Sequence, residues 1–209
     1  MTQEEINEEH EHLLLESKYY HSKLNRVAKK FLDASIKFEK ALFEEIDQLH
    51  EDDRELIKSI LNSEKALSQE QQKKDLKKKK EKDATGDKSN LKKAFRDIAM
   101  KSHPDRLVDE EDDGERTKKE ALFKKAQSSM DKGDISELIE VAKELNVEPP
   151  EPDEYQLDLL RNKIKKIQNE IKTYKHSVAW DWNSANDSRK SGIIVKYMIY
   201  LVENHKDRA

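Results

Sequence analysis

The sequence predicts an all-α protein, with a compact helical segment flanked by long antiparallel coiled-coil helices. Three observations predict it. Hydrophobic residues make up 34% of the 209 positions and charged residues 41%, against about 45–50% and about 25% in ordinary globular domains. Such a chain cannot fill a thick core but can fill seams between helices, where one face per helix needs apolar cover. With four glycines and four prolines in all, it lacks the turn residues of a sheet protein. Finally, apolar residues recur in steps of three and four over long stretches, the rhythm of helix seams.

Residues 1–67 form the first region. Thr2 and Glu5 read as a capping box, in which side chain and backbone satisfy each other's free groups. Leu24, Val27, Phe31, Ala34, Phe38 and Ala41 follow with a/d spacing. Ile46, Leu49, Leu56, Ile57, Ile60 and Leu61 continue an apolar face. The phase shift near Glu51-Asp52-Asp53 marks either a turn or a change of partner. Residues 68–90 carry Lys73, Lys74 and Lys77 through Lys80, then Ala84-Thr85-Gly86-Asp87, and read as an exposed linker.

Residues 91–148 form the central segment. Residues 149–152, with three prolines, break it, since proline removes amide donors and stops helices. In the last region, 153–209, Asp153 is placed to cap a helix. Leu157, Leu160, Ile164, Ile167, Ile171, Tyr174 and Val178 keep an unbroken seam. Trp180-Asp181-Trp182-Asn183 interrupts it, and Ile193, Ile194, Tyr197, Met198 and Leu201 outline a short last helix. The two heptad regions predict an antiparallel pair within one monomeric chain; pairing between two chains is the alternative.

Net charge is −4, so no bulk attraction draws the molecule to nucleic acid or membrane. The absence of cysteine removes disulfides, thiolate metal sites and cysteine nucleophiles. The acidic start, with Glu4 and Glu5, lacks a signal pattern. The most apolar stretch, Ile193 to Val202, contains Lys196 and is about half as long as a membrane helix. Together these predict a cytoplasmic protein.

The central segment carries the functional expectation. Ser89 or Asn90 caps a helix with Leu91, Ala94, Phe95 and Ile98 on one face and Lys92, Lys93, Arg96 and Lys101 elsewhere. Pro104 ends it by about Ser102. A second helix is expected after the acidic stretch 109–113 and Gly114, with Ala121, Leu122, Phe123, Ala126 and Met130 as its apolar positions. Gly133 ends it, and Asp134 with Glu137 opens a third helix through Leu138, Ile139, Ala142 and Leu145. The product is an antiparallel hairpin with a basic first arm and a proline-stiffened loop at its head.

The run from Leu91 to Arg106, LKKAFRDIAMKSHPDR, closely resembles the second helix and loop of the J domain in the DnaJ family. The resemblance lies within 91–148, about a quarter of the chain. Its specificity comes from His103-Pro104-Asp105 directly after a basic helix bearing Ala94 and Phe95, and ahead of Phe123 in an opposing helix. Two features depart from the family pattern. No Tyr-Leu-Gly-like first helix precedes Leu91, and Asp97 stands where family members commonly carry a basic residue. Residues 132–138 also resemble a divergent branch with an extra helix. Lacking a zinc-binding cysteine module and a Gly/Phe-rich linker, the chain does not resemble the general-purpose DnaJ proteins.

The resemblance implies a co-chaperone that stimulates ATP hydrolysis and client capture by a DnaK-type chaperone. The loop His103, Pro104 and Asp105 would engage that partner, with Asp105 offering a carboxylate for an arginine and His103 either holding the loop or bonding to the partner's backbone. Lys92, Lys93, Arg96, Lys101 and Arg106 would form the basic face steered to an acidic surface. ATP chemistry would belong to the partner, because no phosphate-binding glycine loop is present; no cofactor or metal, and no enzymatic activity of its own, is expected.

Two other functions fit parts of the sequence. One is a scaffolding coiled-coil protein with a vestigial J-like end; the other is a nucleic-acid-associated protein using the lysine run, which lacks aromatic stacking platforms. Glu9-x-x-His12 and Asp47-x-x-His50 have carboxylate–histidine spacing but read as surface charge. Trp180, Trp182, Tyr197 and Tyr200 read as core packing; if exposed, they are the candidate client-binding surface.

Overall fold

The computed structural model describes residues 1–64, 89–107 and 112–206. All regular structure among them is helical. Helix α1 spans Gln3–Ile46 and α2 spans 51–64; α3 is Ser89–Ser102, followed by a 3-10 turn at Pro104–Arg106. Then come α4 (Asp113–Lys132), α5 (Ile135–Glu144), α6 (Glu154–Lys175), α7 (Val178–Ser184) and α8 (Asp187–Lys206). No helix among the described residues is long and apolar enough to cross a membrane. The predicted lysine-rich linker lies outside the described residues except for Ser89 and Asn90, which already belong to α3.

The chain forms two compact units, one of Met1–Lys23 with Thr85–Asn169, the other of Leu24–Ala84 with Glu170–Ala209. In the first, α3, α4 and α5 enclose a core of Leu91, Ile98, Leu122, Ala126, Ile135, Leu138, Ile139, Val141 and Ala142. Leu14 of α1 and Tyr155 and Leu159 of α6 pack against this core. Ile6 and Leu13 of α1 pack with Leu157, Leu160 and Ile164 of α6.

The helix ends follow local chemistry. Thr2 N–H donates to Glu5 Oε2 at 2.7 Å and Glu5 N–H to Thr2 Oγ1 at 3.3 Å, the reciprocal box read from the sequence. Gly133 takes a left-handed φ of 65°, and its N–H and that of Asp134 return to Met130 O and Ser129 O. Asp134 Oδ1 then accepts from Glu137 N–H at 3.1 Å and also receives the Lys163 ammonium. Asp153 caps α6 by accepting from Gln156 N–H at 2.8 Å.

In the second unit, Phe38, Leu42, Ile46, Ile57, Ala179, Trp182, Ile194 and Met198 make the core. The phase shift near Glu51 is a turn: α2 folds back after residues 47–50, and Lys58 pairs with Asp47 at 2.9 Å. Phe38 meets Trp182 and Tyr197 edge-on at 5.8 and 5.4 Å.

Several expectations change. The seams are not an antiparallel α1–α6 pair. In the first unit Gln3 reaches Pro152 O and Glu9 reaches Arg161, so contacts advance together along both helices. In the second, Phe31 stacks on Tyr174 and Phe38 meets Trp182, again in rising order. The antiparallel neighbours of α1 are α2, through Asp47–Lys58, and α8, through Glu45–Ser191 and Phe38–Tyr197.

The last helix is 20 residues long rather than short. The Trp180–Asn183 interruption is itself the helix α7, capped by Ser177. Helix α4 begins at Asp113, before Gly114, because Asp112 Oδ1 accepts from Gly114 N–H at 2.8 Å. Its Ala121 is exposed and Ser129 is buried instead. Leu56 lies outside the apolar seam, exposed to solvent. Of the four aromatics, Trp182 is buried and Tyr197 packs on the core, whereas Tyr200 is exposed.

Candidate functional site

Helix α3 buries Leu91, Ala94 and Ile98 and leaves Lys92, Lys93, Arg96 and Lys101 exposed. Phe95 lies on Phe123 of α4, rings 6.2 Å apart, and Lys101 borders a cleft with Lys118 and Leu122; the two helices therefore run antiparallel. The helix stops where proline requires. Its last turn is tied off by the fully buried Ser102, whose hydroxyl donates to Ile98 O at 2.8 Å.

His103 leaves the helix in an extended conformation, φ −66° and ψ 133°. Pro104 opens the 3-10 turn, Arg106 N–H returns to His103 O at 2.9 Å, and Leu107 N–H to Pro104 O at 3.0 Å. Leu107 then plugs back into the interior. The turn is thus anchored on both sides by buried residues while its middle faces solvent.

His103 sits edge-on to Phe123 at 4.9 Å between ring centres. Its Nδ1 accepts from Asp105 N–H at 3.2 Å. The Asp105 side chain is 88% exposed and that of His103 40%, with Oδ2 3.7 Å from Nδ1. At that distance His103 does not hydrogen-bond the carboxylate, which is presented outward. Arg106 is exposed beside it.

The structure thus brings His103, Pro104, Asp105 and Arg106 together at the end of the helix that carries Lys92, Lys93, Arg96 and Lys101. Lys101 is set apart from the other cations. Its ammonium donates to Leu145 O at 3.1 Å and Asn146 O at 2.6 Å, the free carbonyls at the end of α5. A cation there satisfies orphan acceptors and the negative end of the helix dipole.

Compared with models of known families, with curated proteins and with solved structures, the chain matches none. The site is therefore read from its own chemistry.

Sequence reasoning did not pick out Ser102, Leu107 or Met100. The first two lock the turn; the third is 53% exposed on α3, next to Lys101. Leu107 carried a signal, a lone apolar residue just beyond the Pro-Asp-Arg turn. Of the other motifs, Glu9 pairs with Arg161 and Asp47 with Lys58, and no group of three or more metal-ligating side chains occurs among the described residues.

Proposed function

We propose that the protein is a J-domain-type co-chaperone that stimulates ATP hydrolysis and client capture by a DnaK-type chaperone. The observation that carries this reading is the Asp105 carboxylate, 88% exposed on a turn braced by proline and anchored by Ser102 and Leu107. A carboxylate held outward, with no hydrogen bond to it among the described residues, is suited to accept paired bonds from an arginine of a partner. Little ordering entropy remains to be lost when it docks, because the turn is already formed.

The exposed cations Lys92, Lys93, Arg96 and Arg106 supply the second element. Spread along α3 from its first turn to the loop, they would speed encounter with an acidic surface, an effect that weakens with salt. In place of a first J-domain helix, the hairpin rests on α5 and on Leu14, Tyr155 and Leu159. This supports a rigid platform for the loop.

The test is single-turnover ATP hydrolysis by a cognate DnaK-type chaperone with catalytic amounts of this protein. Wild type accelerates the reaction and Asp105→Asn does not, while helical circular dichroism stays the same. Equal stimulation by both proteins overturns the reading.

A further inference from the structure

The opening turn of any helix leaves N–H groups without backbone acceptors. In the Pro104–Arg106 turn the first such group does not exist, since proline has no N–H. Arg106 N–H is taken by His103 O. The group that remains is Asp105 N–H, and His103 Nδ1 lies 3.2 Å from it. An imidazole nitrogen accepts only when it carries no hydrogen, so neutral His103 in this arrangement bears its proton on Nε2. Phe123 holds the ring edge-on, and Phe95 stacks behind Phe123.

Resting on the proposed function, we propose that His103 is a positioning residue whose Nδ1 caps the turn and aims Asp105, while Nε2 is dispensable for the chaperone. The side chain stands where Ser, Asn or Asp stands at an ordinary helix start, and does the same chemistry with a ring nitrogen. The Asp105 backbone is fixed by this bond and the Asp105 carboxylate is left for the partner. Phe95 and Phe123 orient the ring; its outer nitrogen carries no part of the signal.

The two nitrogens can be separated by amide substitutions. In His103→Asn the Oδ1 falls near the place of Nδ1, and asparagine is among the best capping residues. In His103→Gln the amide falls near the place of Nε2 and the inner acceptor is lost. In the single-turnover assay His103→Asn retains stimulation within about threefold of wild type, whereas His103→Gln loses at least about fivefold, the population shift expected when a cap is removed. Any other order, including equal loss in both variants, overturns the inference.

A second measurement needs no chaperone. Long-range nitrogen NMR of the full chain reads the Nε2–H tautomer of His103, and the Asp105 amide exchanges more slowly in wild type and His103→Asn than in His103→Gln. An Nδ1–H tautomer, or equal exchange in all three proteins, overturns the inference. If wild type fails to stimulate any cognate chaperone, the proposed function falls, and the NMR result still decides the role of Nδ1 in the turn.

Discussion

Replacing Lys101 with methionine tests whether this cation is a brace or a contact. Methionine keeps most of the apolar stem and removes the ammonium that bonds Leu145 O and Asn146 O at 3.1 and 2.6 Å. Shielded from water, each charge-assisted bond would contribute about 1.5–3 kcal/mol. Lys101 is exposed, however, so water competes for the same carbonyls. What remains is about 1 kcal/mol, near the upper value for a cation at an exposed helix end. Followed by far-ultraviolet circular dichroism, the urea midpoint of the variant falls by about 0.5 M, taking a slope of about 2 kcal/mol/M. Stimulation of the chaperone, measured well below the unfolding transition, stays within about twofold of wild type, a change of no more than about 0.4 kcal/mol. An unchanged midpoint with lost stimulation would instead make Lys101 a partner contact.

The other exposed cations behave in the opposite way. Lys92→Glu with Lys93→Glu leaves the urea midpoint nearly unchanged but lowers stimulation several-fold at low salt, and the deficit shrinks as ionic strength rises. Asn146 has φ 50° at the residue that closes α5, with its N–H on Lys143 O and that of Val147 on Ala142 O. Asn146→Gly therefore raises stability by a few tenths of a kcal/mol and Asn146→Ala lowers it by about 1 kcal/mol, read by thermal unfolding. His10 is buried with Nε2 unpartnered among the described residues, and burial lowers its pKa below 6.5 against the pull of Asp153 and Glu11, with Lys143 adding to the lowering. The unfolded chain takes up this proton first, so stability from His10 is complete above about pH 6.5 and falls as pH drops toward the folded value. His10→Leu flattens that acid-side slope in urea titrations made at a series of pH values.

How much of this was legible in the sequence depends on how local each determinant is. The stop of α3, the glycine closure at Gly133 and the caps at Thr2, Asp134 and Asp153 follow from residues within a turn of one another, and they stand where the pattern put them. The outward turn at His103-Pro104-Asp105 was legible for the same reason. The parallel sense of α1 and α6 was not, because an a/d seam identifies the buried face and is the same whichever way the partner runs. The length of α8 was hidden by Ser188, Arg189, Lys190 and Ser191, polar residues that add no apolar period, although Lys190 lies half-buried over the Trp182 ring. Lys101 read as part of the partner-facing basic set, since its acceptors within the chain lie 44 and 45 residues further on. Ser102 gave no signal, since a serine near a helix end is equally at home exposed.

Asp105 is proposed to act on a partner rather than within its own chain. The most direct measurement is the rate of one ATP turnover on a DnaK-type chaperone from the same source, with wild-type and Asp105→Asn protein compared at equal concentration. Wild type accelerates the turnover and the asparagine variant leaves it at the baseline rate, at identical thermal stability. Acceleration by the asparagine variant, or a baseline rate with both, contradicts the proposal.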